Sequence, residues 1–273
     1  MTRIALALGG GGAKGLAHIE ILEAFDELGV KPHRLSGASV GGAFAAAYAS
    51  GTSAAEIRTY VDRLVISKGD RLADVFTRKD LWKWLEVVDF RRRGAVKFDN
   101  FAMLVDDGII AATFEELEIP LKLVAADYWN REAVVLDSGN LATAVKASMA
   151  IPGLFAPVEL DGKVLIDGGA VDPVPYDAWL DDCDVTVAVD VSGERTAGRP
   201  RAPGFFDLVF NSFQIMQHAI VEEKMKRVPP DVLVRPDVRN VRVFEFFKSR
   251  EIAAQSAPAK ERLKRELAEI LSR

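Results

Sequence analysis

Cysteine is nearly missing from this chain of 273 residues. Cys183 stands alone, so no disulfide can form within the chain, and a reducing compartment is expected. Histidine is almost as scarce: His18, His33 and His218 are far apart. No His/Cys group has metal-ligand spacing, so no metal is expected. No apolar run reaches the ~18 residues of a membrane-spanning helix. The apolar run near the start, Ile4 to Leu8, is too short for a signal peptide. The expectation is a cytoplasmic protein whose membrane contact, if any, is peripheral. A formal charge of −5, with both signs spread along the chain, argues against a nucleic-acid partner. Repeats and low-complexity tracts are absent as well. What is present is ordinary for a soluble globular protein: 49% hydrophobic and 27% charged residues.

The pattern alternates strands and helices. Ile4 to Leu8 reads as a buried strand, and glycines 9 to 12 as a loop. Gly15 to Leu28 has helical spacing, with Leu16, Ile19, Leu22 and Phe25 on one face. A short strand around His33 to Ser36 leads into a small-residue helix from Val40 to Ala49. Residues 53–113 read as a helical insertion, with helices over Asp80 to Val88 and Phe98 to Val105 and a capping box at Thr113 to Glu116. Strands return at Leu121 to Asp127, Ala133 to Leu136, Val164 to Ile166, Val185 to Val191 and Val232 to Arg235. Helices are predicted from Asn140 to Ala150, Pro173 to Leu180, Phe205 to Arg227 and Pro258 to Leu271. The expected fold is a mostly parallel sheet with helices on both faces, an α/β architecture.

Three segments carry chemistry. Gly37-Ala38-Ser39-Val40-Gly41 sits between a strand and a helix. Glycines on both sides let the backbone turn sharply, exposing the Ser39 hydroxyl beside the free N–H groups of the next helix. Gly9 to Gly12, Ala13, Lys14 and Gly15 follow the first strand and open a helix. Such a loop holds negative charge on its N–H groups, either a phosphate or an oxyanion. Gly10, Gly12 and Gly15 fit a dinucleotide fingerprint, but no acid ends the second strand, which leaves only an NADP variant using Lys31 or Arg34. Third, Asp167-Gly168-Gly169 ends an apolar strand and offers a base for the serine. Histidine competes for that role: Ser39, an acid and His218 follow α/β-hydrolase order, and His18 lies one turn beyond the glycine loop. Phe76 to Trp84 and Arg91 to Arg93 mix aromatics and bases, as a membrane interface or a packed helix would. Phe205, Phe206, Phe210 and Phe213 could line an acyl channel or fill a core.

With these motifs in order, the chain resembles the patatin-like phospholipase family, in its small single-domain bacterial branch. Ala147 to Gly153 and Asp172 to Pro175 also look like family segments. The resemblance runs from Arg3 to about Pro236, with residues 237–273 matching less clearly. It implies a three-layer α/β/α sandwich, a single domain over 1–273 and no cofactor. It further implies a serine–aspartate dyad, with Ser39 as nucleophile and Asp167 as base. Gly10, Gly11 and Gly12 would form the oxyanion hole, and Lys14 would organise the loop or meet an anionic headgroup. Gly15, Gly37, Gly41, Gly168 and Gly169 are the motif glycines. The implied substrate is an acyl-ester lipid, with a simple ester or thioester also open. Three alternatives stay open: a Ser-Asp-His esterase, an NADP-binding oxidoreductase, and a lipid-binding protein without turnover.

Overall fold

The computed structural model describes residues 2–75, 102–192, 205–243 and 245–272. Strand β1 (Ile4–Leu8) is followed by a 3-10 turn over Gly12–Leu16 and helix α1 (Ala17–Leu28). Next come β2 (Arg34–Ala38), α2 (Val40–Ala49), α3 (Ala54–Val75) and the short α4 (Ala102–Asp106). Strands β3 (Leu121–Asp127) and β4 (Glu132–Leu136) precede α5 (Leu141–Ser148), β5 (Val158–Leu160) and β6 (Lys163–Asp167). Strand β7 (Val185–Val189), α6 (Phe205–Arg227), β8 (Val232–Val234) and α7 (Ser249–Leu271) complete the order.

Eight strands form one sheet among the described residues. Strands β3, β2, β1, β7 and β8 run parallel, while β4, β5 and β6 are antiparallel additions at the β3 side. Ile4, Leu6 and Leu8 alternate with Ala5 and Ala7 along β1, and the two sets serve different faces. The larger residues join Leu35, Leu123, Val187 and Val189 in the main core against α1, α2, α5 and α7. Ala7 and Ala188 face the other way, against Val174, Tyr176 and Val221 of α6. Small strand residues on that face let α6 and the 3-10 turn Tyr176–Trp179 lie close to the sheet.

Several boundaries differ from the sequence reading for local reasons. The Thr113 side chain makes no cap; the Glu116 carboxylate instead accepts from the Ala112 N–H at 3.2 Å. Asn140 does cap its helix, accepting from the Thr143 N–H at 2.8 Å. The segment from Pro173 forms only the 3-10 turn Tyr176–Trp179. Helix α7 starts at Ser249 and carries Pro258 inside it. The carbonyl that loses a partner there belongs to exposed Ala254, where water can replace the bond. The three-residue strand β5 was not anticipated. The helix read over Asp80 to Val88, the aromatic and basic Phe76 to Trp84, and Arg91 to Arg93 lie outside the described residues.

Candidate active site

Strand β3 brings the serine and the aspartate together. Its Val124 pairs with Ala38 at the end of β2, and its next residue, Ala125, pairs with Asp167 at the end of β6. Strand β4 occupies the opposite edge of β3 over Leu123 to Asp127. Strands β2 and β6 therefore share one edge of β3, laid end to end and pointing at each other. Asp167 does end its strand, as the sequence suggests, but that strand does not belong to the parallel set. Strand β6 is antiparallel to β3 and returns toward the β2–α2 turn from above.

At that junction the Ser39 hydroxyl donates to Asp167 Oδ2 at 2.6 Å. Asp167 Oδ1 accepts from the Gly169 N–H at 2.7 Å. Ser39 is 5% exposed and Asp167 0%. Burial is the largest influence on Asp167 and raises its pKa to about 6; the bonds from Ser39 and Gly169 pull it back only in part. Ser39 has φ 53 and ψ −132, a strained conformation for a residue with a side chain. Its own N–H is held by Ser148 Oγ at 3.0 Å, and the Ser148 hydroxyl donates to Val124 O at 2.6 Å. Ser148 thus ties the turn to β3. The sequence reading placed it in a family segment without assigning it a role.

Close packing fixes the turn. A Cβ on Gly41 would overlap the carbonyl oxygens of Leu8 and Gly9, and one on Gly37 would lie 2.7 Å from Gly42 Cα. The glycine loop passes directly beside the serine: a Cβ on Gly10 would stand 3.2 Å from Ser39 Cβ, and one on Gly15 would strike the Val40 side chain. The four loop N–H groups are not equivalent. Gly9 N–H donates to Val189 O at 3.0 Å and Gly10 N–H to Pro173 O at 2.9 Å. Those of Gly11 and Gly12 have no acceptor among the described residues. Counting Gly10 as an oxyanion donor is therefore corrected, because its N–H is already committed.

Lys14 is buried, and its ammonium donates to Ser192 O at 2.6 Å. That geometry braces the loop against the end of β7, the first of the two roles the resemblance implied for it. The histidines lie elsewhere. His18 is buried with Nε2 2.7 Å from Gly9 O, and burial lowers its pKa to about 4, so it is neutral. His33 and His218 are exposed. Gly168 is close-packed too, since a Cβ there would overlap Val124 O.

Ser39 and Asp167 open onto a cavity of about 20 Å³. Gly11 and Gly12 border it on the sheet side, and Ile151, Phe210, Phe213, Gln214, Gln217 and Val243 close it. Of the four phenylalanines singled out in the sequence, Phe210 and Phe213 reach the cavity; the side chains of Phe205 and Phe206 lie outside the described residues. A reactive hydroxyl, a buried carboxylate and two free N–H groups around one small space suit attack on a carbonyl carbon and storage of the resulting negative oxygen.

A family model described as patatin-like phospholipase matches residues 6–180. An uncharacterized NTE family protein of Mycobacterium tuberculosis is 32% identical over 194 residues, which cover 71% of this chain and 50% of that protein. The lysophospholipase NTE1 of Candida glabrata is 25% identical over 272 residues, covering 91% of this chain and 15% of that protein. The chain thus spans about half, or less, of the length of these relatives. Among solved structures, VipD from Legionella pneumophila superposes with a TM-score of 0.58 at 16% identity, covering 97% of this chain and 67% of that one, which supports the shared fold. By the family match over most of its sheet, this chain belongs to the patatin-like phospholipase family.

Proposed function

We propose that the chain is a serine acyl hydrolase acting on fatty-acyl esters of phospholipid or lysophospholipid type, through an acyl-enzyme on Ser39. The observation that carries this reading is the buried 2.6 Å bond from Ser39 Oγ to Asp167, with no histidine beside it. Asp167 takes the hydroxyl proton as Ser39 Oγ attacks the ester carbonyl carbon. The N–H groups of Gly11 and Gly12 receive the oxyanion, with Val40 N–H at the helix start as a third donor. As the intermediate collapses, Asp167 returns the proton to the leaving alcohol. Water then repeats the sequence on the acyl-Ser39 ester, releasing the fatty acid. A free aspartate is too weak a base for this at neutral pH. The raised pKa of about 6 brings Asp167 nearer the operating range while leaving it ionised at pH 7.

The cavity of about 20 Å³ is far too small for a fatty-acyl chain. Substrate entry therefore requires Phe210, Phe213 or Ile151 to move. No helix among the described residues is long and apolar enough to cross a membrane. Leu208, Val209, Ile215 and Met216 on the outer side of α6 are exposed and support peripheral contact with a lipid surface. The family match ends at residue 180, yet β7 and β8 extend the same sheet and α7 packs on α1. The same domain, in this reading, runs on to the C-terminal helix.

Labelling with a fluorophosphonate probe tests the assignment. Wild-type protein should be labelled on Ser39 and Ser39→Ala should not. Labelling that persists in that variant would remove the serine from its role.

A further inference from the structure

The Asp-Gly-Gly turn contains one glycine whose reason lies outside the sheet. Gly168 must lack a side chain because β3 backbone lies against it. Gly169 is different: a Cβ there would overlap the amide nitrogen of Gln217, on α6, and approach Asp167 Oδ1 to 2.9 Å. The same amide nitrogen would lie 3.9 Å from a Cβ on Gly10. The Gln217 amide therefore occupies the space between the aspartate turn and the glycine loop, directly over Ser39 and Asp167. The residue is 9% exposed and borders the cavity.

Its position is fixed from below. Gln217, Val221 and Lys224 lie on one stripe of α6 by helical spacing. Val221 is buried against Ala7 and Ala188. Lys224 pairs with Asp172 at 2.8 Å and with Asp177 at 2.5 Å, and also donates to Val174 O at 3.1 Å. The Asp172 N–H in turn donates to Gly168 O at 2.9 Å. The helix and the Asp-Gly-Gly turn are bolted together two turns away from Gln217. Phe210 and Phe213 can then give way to an acyl chain while the α6 backbone that carries Gln217 stays in place.

We propose that Gln217 holds the water that hydrolyses acyl-Ser39, a step that rests on the serine reading above. The cavity has room for about one water molecule, and a bound water needs two to four polar partners. Gln217 Nε2, the amide atom that faces the turn and the loop, donates to the oxygen of that water, and one hydrogen of the water points at Asp167. The water oxygen bonds to the acyl carbonyl carbon as its proton passes to Asp167. The Ser39 Oγ–carbon bond then breaks, the proton moves from Asp167 to Ser39 Oγ, and the carboxylic acid leaves. The amide is not required for the first attack, where Ser39 is the nucleophile.

Pre-steady-state kinetics with a p-nitrophenyl ester separates the two halves. Gln217→Leu, similar in size and without the amide, should keep the p-nitrophenol burst within about two-fold while steady-state turnover falls roughly 10- to 100-fold. Then kcat and KM drop together, kcat/KM holds, and intact-mass measurement finds the protein acylated. A burst slowed as much as turnover, with no acylated protein, would overturn the proposal. Should Gln217→Leu not fold, Gln217→Asn, which withdraws the amide by one methylene, must give the same split. If wild-type protein forms no adduct on Ser39, the serine reading itself fails, and the mass spectrum distinguishes that result.

Discussion

The two walls of the cavity are built differently. On the sheet side, Ser39, Asp167 and the glycine loop are fixed by backbone: strand ends meet along β3, and Gly37 and Gly41 touch main-chain atoms. On the α6 side, Phe210, Phe213 and Gln217 arrive as side chains from a helix whose outer face is exposed and apolar. That helix is held to the sheet by a thin seam of Val221, Met225 and the Lys224 ion pairs. The first wall gives reacting atoms positions that do not drift. The second can open for a chain that the closed cavity cannot hold. In the proposed reading, catalytic precision and substrate access thus fall to different secondary elements.

The strongest way to break this contrast is at the reacting pair. Ser39→Ala and Asp167→Asn should each reduce esterase turnover by roughly 10³-fold or more, measured with a soluble p-nitrophenyl ester. The aspartate variant carries a second expectation with the opposite sign. Burial raises the folded pKa of Asp167 to about 6, so folding favours its protonated form. The stability that proton binding gives is complete below the unfolded pKa, near 3.8, and is lost as pH rises through about 6. Above that pH the fold carries a buried charge that asparagine lacks, while an amide keeps the bond from Gly169 N–H on its oxygen and reverses the Ser39 bond, its NH2 donating to Ser39 Oγ. Asp167→Asn should therefore melt higher than wild type at pH 8, and the difference should vanish toward pH 4.

Next in size come two glycines of the sheet-side wall, Gly41 packed on backbone and Gly169 facing a side chain of the other wall. Gly41→Ala drives a Cβ into the Leu8 and Gly9 carbonyls, which cannot yield, and should cost about 3 kcal/mol in denaturant unfolding. Gly169→Ala meets mainly the end of the Gln217 side chain, which can swing away. It should cost far less stability yet lower turnover, because the amide leaves its place. Equal unfolding midpoints for the two variants would contradict the division between rigid and adaptable walls.

Much of the rigid wall was legible in the sequence, because its residue types sit at short fixed spacings. Gly37 is required by Gly42 in its own turn, but Gly41 is required by the Leu8 and Gly9 carbonyls and Gly15 by the Val40 side chain, so the pattern was legible and its cause was not. Asp167 was found as well, but for an incomplete reason. The end-to-end meeting of β2 and β6 depends on pairing with β3, which leaves no local mark. Long-range context also decided Lys14 and Gly10: the acceptors that engage them, Ser192 O and Pro173 O, are distant in the chain. Gln217 carried no signal at all. A lone glutamine in a helix gains meaning only when packing sets it over Gly169.

A smaller effect tests the base itself. With substrate below KM, the rate should rise from acid with an apparent pKa near 6 and level off above pH 7, as Asp167 becomes available to accept the serine proton. A profile that is flat from pH 4 to 8 would mean that proton transfer does not depend on a raised carboxylate.

The smallest effect is expected at His218, the residue that α/β-hydrolase order would make the base. It is the immediate neighbour of Gln217, but one residue along a helix turns the side chain by about 100°. Gln217 is consequently buried over the cavity while His218 is exposed. His218→Ala should leave turnover and melting temperature unchanged within about two-fold and a degree or so, as surface substitutions generally do. His18 offers the sharper contrast. His18→Leu removes a buried bond to Gly9 O, at the root of the glycine loop, and should cost about 1 kcal/mol. If His218→Ala proved the more damaging of the two, α6 would have to present its other side to the substrate, and the assignment of walls would be reversed.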